Sequence, residues 1–370
     1  MMNTLAWIMG RGGISFPNMN LEMDPPVGFS IGSASIRFYG VIIAFGLLLA
    51  VVYGLRRRKQ FGLKEDDILD GVLGIVPFAI ICARLYYVAF QWADFKENPI
   101  SILYIWEGGL AIYGGVIGAA LGVVVFCRIK KIKLGAVLDL VALGFLIGQC
   151  VGRWGNFFNR EAFGAYTDGF FAMRVPATNL LDANSSQQMV DAVNLLRDEA
   201  VAGGYVGFFQ VHPTFLYESV WNFVGFIALH FLSKKRQYDG QIALGYVAWY
   251  GLGRTVIEGL RMDSLYWGTL RVSQVLAAAT CFVAVAVLLI NFMRKHDRAN
   301  LYVNLVAATE GNPNTPVDVP EETTGEVAGE ATEETAEEAT EETTEETPEE
   351  TTEEIPEEKE ETAENAEEEK

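Results

Sequence analysis

The chain has 370 residues, with 28 Lys+Arg against 47 Asp+Glu, a formal charge of −19, and 51% apolar residues. The acidity is local: from Glu310 onward 26 acidic residues face two lysines, so residues 1–309 hold 26 basic and 21 acidic residues, a net charge of +5. An apolar, mildly basic body with an acidic appendage excludes a soluble acidic domain, a collagen-like chain and a disulfide scaffold.

Residues 1–33 have no basic stretch ahead of an apolar run, and Arg11 and Arg37 fall in the wrong places for a signal peptide. They are read as an extracellular N-terminal segment. Crossing a hydrocarbon core of about 30 Å takes about 20 mostly apolar residues. Seven such runs are predicted, over about 34–54, 68–90, 108–127, 135–151, 214–233, 241–260 and 273–293. The expected fold is an all-α polytopic membrane protein whose seven-span body covers 34–300. A small extracellular head or arm region falls at about 152–213. Residues 309–370 form a Glu/Thr-rich tail with repeats such as EETTEETPEE. Like charges at helical spacing and scarce apolar surface predict disorder there. A solvated, dispensable extension is its plain reading; an electrostatic spacer or a partner-binding segment stays open.

Basic residues set the expected orientation. The connections 55–67, 128–134, 234–240 and 294–298 carry fifteen Lys+Arg in 32 residues, against eight in the 124 residues of the opposite-side segments. The positive-inside rule therefore puts the N-terminus outside and the C-terminal tail in the cytoplasm. An odd number of spans agrees with that.

Cys82, Cys127, Cys150 and Cys281 lie in or at the ends of different spans without CxxC or Cys/His spacing, and read as small buried hydrophobes. None of the three histidines is near another, so no metal site is expected. Polar side chains inside spans are more telling, because each is costly there. In chain order they are Arg37 and Tyr39, Arg84, Glu107 and Tyr113, Asp139, then Arg153, Asn156 and Glu161, His212, Tyr217 and Glu218, and Arg254 and Glu258. Chain direction alternates from span to span, yet nearly all of these fall in the outer third; Asp139 is the main exception and reads as structural. The convergence predicts one arginine-rich cavity open toward the outer leaflet. A planar guanidinium can give a phosphate two hydrogen bonds at once, so an anionic phospholipid is the expected ligand. Bland readings stand beside several of these residues. Arg254 and Glu258 are spaced i,i+4 and suit a structural ion pair, Arg37 can snorkel, and Tyr39 and Tyr217 suit an interfacial belt. Gly108, Gly109, Gly114 and Gly115, in GGLAIYGG, serve either close helix packing or room for a ligand.

The densest polar stretch, GRWGNFFNREAFG from Gly152 to Gly164, offers guanidiniums, amides and a carboxylate at the end of a span. It resembles the signature of the bacterial prolipoprotein diacylglyceryl transferases, G-R-x-G-N-F-x-N-x-E-x-x-G. All eight specified positions are present: Gly152, Arg153, Gly155, Asn156, Phe157, Asn159, Glu161 and Gly164. Supporting matches are Arg37-Phe-Tyr39-Gly, Ala83-Arg84-Leu, the glycine pairs around Tyr113, His212 through Glu218, and Arg254 through Glu258 with Arg261. The resemblance covers about 30–300 and leaves out the acidic tail.

The resemblance implies a multi-pass enzyme of the bacterial cell membrane with its active site facing the outer leaflet. It implies transfer of the diacylglyceryl group of phosphatidylglycerol to the lipobox cysteine of a prolipoprotein, releasing glycerol phosphate. Carried over by position, Arg153, Arg254, Tyr39, Asn156, Glu258 and Glu161 are the expected catalytic residues. Arg153, Arg84, Tyr113, Gly108, Gly109, Gly114, Gly164, His212, Tyr217 and Arg261 are the expected substrate-binding ones. Arg153 and Arg254, with Arg84, would meet the charge growing on the leaving phosphate. The chain departs from the family at Tyr113, where histidine is frequent; a tyrosine, titrating near 10, is a poorer base. The expected partners are phosphatidylglycerol, prolipoprotein signal peptides and the lipid bilayer, with no nucleic acid and no cofactor. A transporter or scramblase using the same cavity is the alternative, though neither an internal repeat nor midplane polar groups favour it.

Overall fold

The computed structural model describes residues 13–31, 34–105, 108–176, 187–204, 208–262, 264, 266–268 and 270–309. Glu107 and the acidic tail from Glu310 onward lie outside the described residues. Helices dominate: α1 (Phe38–Arg57), α2 (Glu65–Phe90), α3 (Ile112–Lys130), α4 (Leu134–Asn159), α5 (Gln187–Ala202), α6 (Thr214–Lys234), α7 (Gln241–Glu258), α8 (Val272–Met293) and α9 (Tyr302–Thr309). Among the described residues six of them, α1 to α4, α6 and α8, are long and apolar enough to cross a membrane. The remaining predicted span, α7, is helical as expected but too polar to qualify on composition.

These helices carry apolar side chains outward as well as inward. Leu73 and Ile81 on α2, Ile112 and Val116 on α3, and Phe282 and Phe292 on α8 are exposed, as residues bordering hydrocarbon must be. α4 is the hub of the bundle: it packs against α1, α6 and α7, while α2 pairs with α3 and α7 with α8. Gly114 and Gly118 let α3 close on Cys82 of α2, so helix packing accounts for the second glycine pair.

The all-α expectation overlooks short strands at one end. β1 (Ile14–Phe16), β2 (Leu21–Met23), β5 (Met173–Pro176) and β6 (Phe208–Val211) form an antiparallel sheet in the order β2-β1-β5-β6. β3 (Gly28–Ile31) and β4 (Ala34–Arg37) make a hairpin that feeds α1; β7 (Tyr266–Trp267) and β8 (Leu270–Arg271) make another that feeds α8. The sheet core of Ile14, Phe16, Met173, Val175, Phe209 and Val211 takes Val193, Leu196 and Ala200 from α5 and is continuous with Phe157, Phe215 and Met262. The N-terminal strands are therefore built into the same head as 152–213, and that head is fused to the ends of α4, α6 and α7.

At the opposite end a second buried network holds α7. Asp139, fully buried on α4, accepts hydrogen bonds from the backbone N–H groups of Gly240, Ile242 and Ala243, each at 2.9 Å. This is an N-cap supplied by another helix. Beneath it Arg236 stacks over Phe61 at 4.4 Å and donates to the Gln60 carbonyl at 2.9 Å. Asp239 pairs with Lys133 at 2.9 Å and accepts from the backbone of Tyr302 at 2.8 Å, tying α9 to this face. Asp139 is thus structural, as its depth suggested. Replacing it with Ala strips three buried N–H groups of their acceptor and should cost about 3 kcal/mol or more. Thermal unfolding in detergent measures this; a wild-type melting temperature for Asp139→Ala is the contrary result.

Candidate active site

The sequence from Gly152 to Gly164 does not leave the membrane helix at residue 151, as predicted. α4 runs on to Asn159, because Gly152 and Gly155 lie on buried faces, against Ile43 and Tyr39, and do not interrupt it. The helix then ends at Arg160, whose φ of 56° turns the chain, with the Glu161 N–H donating to the Asn156 carbonyl at 3.0 Å. Arg160 is anchored by Asp24 at 2.6 Å, so the N-terminal segment holds the turn.

This turn, the start of α6 and the end of α7 bring the charged side chains together. Glu218, 3% exposed, is the centre. Its Oε2 lies 2.7 Å from Arg153 Nη2, and its Oε1 accepts from Arg254 Nη1 at 2.9 Å and from Arg261 Nη1 at 3.2 Å. Arg254 Nη2 also pairs with Glu258 Oε2 at 2.5 Å. Glu258 is 1% exposed, and its backbone carbonyl accepts from Arg271, whose Nε donates to the Tyr266 hydroxyl at 2.8 Å. Among the described side chains of this cluster three guanidiniums meet two carboxylates. Guanidiniums gathered in a low-dielectric setting suit an anion. The Arg153 and Arg254 side chains keep 20% and 17% exposure.

A second line of contacts runs along the signature. Arg153 Nη1 reaches Asn156 Oδ1 at 3.4 Å, and the amides of Asn156 and Asn159 donate to Glu161 Oε1 at 3.0 and 3.3 Å. Tyr39, in the first turn of α1, lies against Gly155; a Cβ there would come within 2.8 Å of its ring. Gly164 donates to the His212 carbonyl at 2.9 Å and pairs with Arg261, with no room for a side chain between His212 and the Leu260 carbonyl. Its glycine is required by that approach. The His212 ring, 3.3 Å from the Tyr217 hydroxyl, is partly buried, which lowers its pKa below the usual 6.5.

The structure thus brings together Arg153, Asn156, Glu161, Gly164, His212, Tyr217, Arg254, Glu258 and Arg261, with Tyr39 beside them. Arg84 stands apart. Its guanidinium donates to the carbonyls of Ser101, Ile102, Gly108 and Gly109 at 2.6 to 3.0 Å and stacks 5.0 Å from the Phe95 ring. It fastens the loop before α3, and Gly108 and Gly109 supply acceptors to it. Gly109 abuts the Arg84 guanidinium, so the structure gives both residues a packing contact here. Gly114 packs on α2, and Tyr113 is half-exposed in the first turn of α3. Glu218 and Arg271 were missing from the expected site residues. A carboxylate inside an apolar run was the available signal for Glu218; nothing local marks Arg271.

The fold and site define an integral-membrane enzyme with an arginine–carboxylate centre at the head end of its bundle. A family model described as prolipoprotein diacylglyceryl transferase matches residues 26–290. The chain is 40% identical over 269 residues to the phosphatidylglycerol–prolipoprotein diacylglyceryl transferase of Listeria monocytogenes serotype 4b (strain CLIP80459), covering 73% of this chain and 90% of that one. It is 41% identical over 287 residues to the Enterococcus faecalis (strain ATCC 700802 / V583) protein of the same description, covering 77% and 96%. Against that of Limosilactobacillus reuteri (strain DSM 20016) it is 39% identical over 281 residues, covering 75% and 94%. The chain belongs to the prolipoprotein diacylglyceryl transferase family, a family of multi-pass bacterial membrane transferases.

Two outcomes follow from the geometry. Glu218→Gln leaves three arginines without their shared charge and should lower turnover by about 100-fold, with reduced thermal stability, since breaking a buried pair strands the partner charges; an active, stable variant contradicts the hub. His212 has a lowered folded pKa, so the native state resists its protonation. Its contribution is intact above 6.5 and is lost as pH falls below that value. Hydrogen-exchange protection in 208–216, taken relative to the intrinsic rate at each pH, should therefore fall between pH 7 and pH 5.5 in the wild type and less so in His212→Phe. Equal pH dependence in the two would refute this.

Proposed function

We propose that this transferase moves the diacylglyceryl group of phosphatidylglycerol onto the lipobox cysteine thiol of prolipoproteins, forming a thioether and releasing glycerol phosphate. The observation that carries the reading is the convergence of Arg153, Arg254 and Arg261 on Glu218 at the edge of an apolar bundle. The names of the relatives, which specify phosphatidylglycerol and prolipoprotein, agree with it.

In the reaction the cysteine sulfur forms a bond to the glyceryl carbon that bears the phosphate. The carbon–oxygen bond to phosphate breaks, and its electron pair leaves on the monoester. Arg153 and Arg254 meet the growing charge, while Glu218 and Glu258 keep them in place before substrate arrives. Asn156, Tyr39 and Gly164 shape the lipid side of the site. Glu161, fixed by two asparagine amides, and the departing phosphate itself are the acceptors offered to the thiol proton. The relatives are transferases, and nothing in the fold or the comparisons supports the transporter alternative.

The same reading gives the topology. α7 crosses with the other six because its two charges are paired inward on Glu218 and with each other. The basic connections lie in the cytoplasm, the head and active site face the outer leaflet, and the tail emerges on the cytoplasmic side. The test is purified protein incubated with phosphatidylglycerol and a lipobox peptide. Thioether-linked peptide and glycerol phosphate should appear together in the wild type. Arg153→Ala should insert normally and lose at least about 100-fold in transfer, the scale seen when one oxyanion donor is removed. Near-normal transfer by that variant would sink the scheme.

A further inference from the structure

The charged cluster depends on the register between α6 and α7, and the helices carry a device that fixes it. Trp221 on α6 and Trp249 on α7 stack with ring centroids 4.4 Å apart and planes 19° from parallel. Each indole N–H donates to the other tryptophan's backbone carbonyl, both at 2.9 Å. Each ring also lies flat on a glycine of the opposite helix: Trp221 on Gly253, Trp249 on Gly225. A Cβ on either glycine would fall inside the indole. The unit is Trp-x-x-x-Gly on both helices, Trp221 to Gly225 and Trp249 to Gly253. It pairs with itself in antiparallel fashion about a local two-fold.

We infer that this double Trp–Gly clasp is a positioning element for transfer, and that Trp221, Trp249, Gly225 and Gly253 act through Arg254. The inference rests on the transferase reading above. Arg254 follows Gly253 directly, and Glu218 precedes Trp221 by one turn on the face that also buries Ser219 and Asn222. A slip of one residue turns a helix by about 100° and would swing Arg254 away from Glu218. Between membrane helices there is no water-driven burial to hold a register, so close packing on small residues and interhelical hydrogen bonds must do it. The clasp supplies both one turn below the reacting groups.

The experiment uses the full chain in detergent and measures kcat, KM for phosphatidylglycerol, product inhibition by glycerol phosphate and melting temperature. Gly253→Ala pushes the Trp221 indole aside. It should lower kcat by about 100-fold, as a misplacement near 1 Å can, with KM within about threefold. The inhibition constant for glycerol phosphate should rise by about tenfold or more, because the displaced Arg254 no longer grips the phosphate. Adding Trp221→Phe to Gly253→Ala makes room for the new methyl and should restore at least about tenfold of the loss. A folded Gly253→Ala protein with unchanged kcat and inhibition overturns the inference. So does a loss of activity that only tracks lost folded protein. Should Gly253→Ala fail to fold, Trp249→Phe, which keeps a ring and drops the N–H donor, carries the test. It should lower kcat by about tenfold and weaken product inhibition, and unchanged values overturn the proposal. A wild-type protein that forms no thioether overturns the transferase reading, and the clasp's role with it; a wild type that reacts and is inhibited normally leaves that reading standing whatever the variants show.

Discussion

A carboxylate placed inside an apolar helix bundle has to be paired, and Glu218 is paired three times. Moving one ionised group out of water costs several kcal/mol even after relaxation, and the cost is recovered only where geometry and further hydrogen bonds are good. Arg153 from α4, Arg254 from α7 and Arg261 beyond α7 meet that requirement together. Removing any one element leaves charge stranded among apolar side chains. The ends of three helices are therefore held in one arrangement by a single side chain, and the arginines are set before substrate arrives.

The bundle uses a second buried carboxylate in a different way. Asp139 takes its hydrogen bonds from backbone N–H groups at the start of α7, whereas Glu218 takes its own from guanidiniums near that helix's other end. Between them Leu140, Leu143, Leu146, Leu229 and Ile242 pack as one apolar cluster. α7 is the least apolar of the long helices, and it is the one fixed at both ends by charge. Its Arg254 pairs with Glu218 of α6 and with Glu258, which is how a helix carrying these two charges can sit among apolar neighbours. The head sheet adds a third restraint, since its core continues into Phe157 and Phe215 at the rims of α4 and α6.

Much of this was legible in the sequence. Apolar run lengths located every long helix, including α7, and the depth of polar residues pointed to one end of the bundle as the site. Other features were not, for physical reasons. The fourth apolar run stops at about 151, yet α4 continues through Gly152 and Gly155 because each accommodates a neighbouring side chain, Ile43 and Tyr39. The strands of the head are two to four residues long, too short for alternation to register. Arg84 was placed in the site because depth cannot tell a guanidinium awaiting a ligand from one already satisfied by four carbonyls. Glu218 was visible as a carboxylate in a span; its rank as the hub depends on which neighbours α4 and α7 bring to it.

The contrast between Arg84 and Arg153 shows why counting intramembrane arginines is not enough. Both are partly or fully shielded cations near helix ends. Arg84 spends four of its five N–H groups on fixed backbone acceptors that carry no net charge, so it stabilises a loop. Arg153 is instead paired with Glu218, and Arg254 with Glu218 and Glu258, while their side chains keep 20% and 17% exposure. In the proposed transfer these charge-paired, partly exposed arginines are the donors offered to the departing phosphate. In that proposal the carboxylates serve the anion indirectly: they raise the cost of any arrangement in which the arginines point elsewhere, so little reorganisation remains when the carbon–oxygen bond breaks.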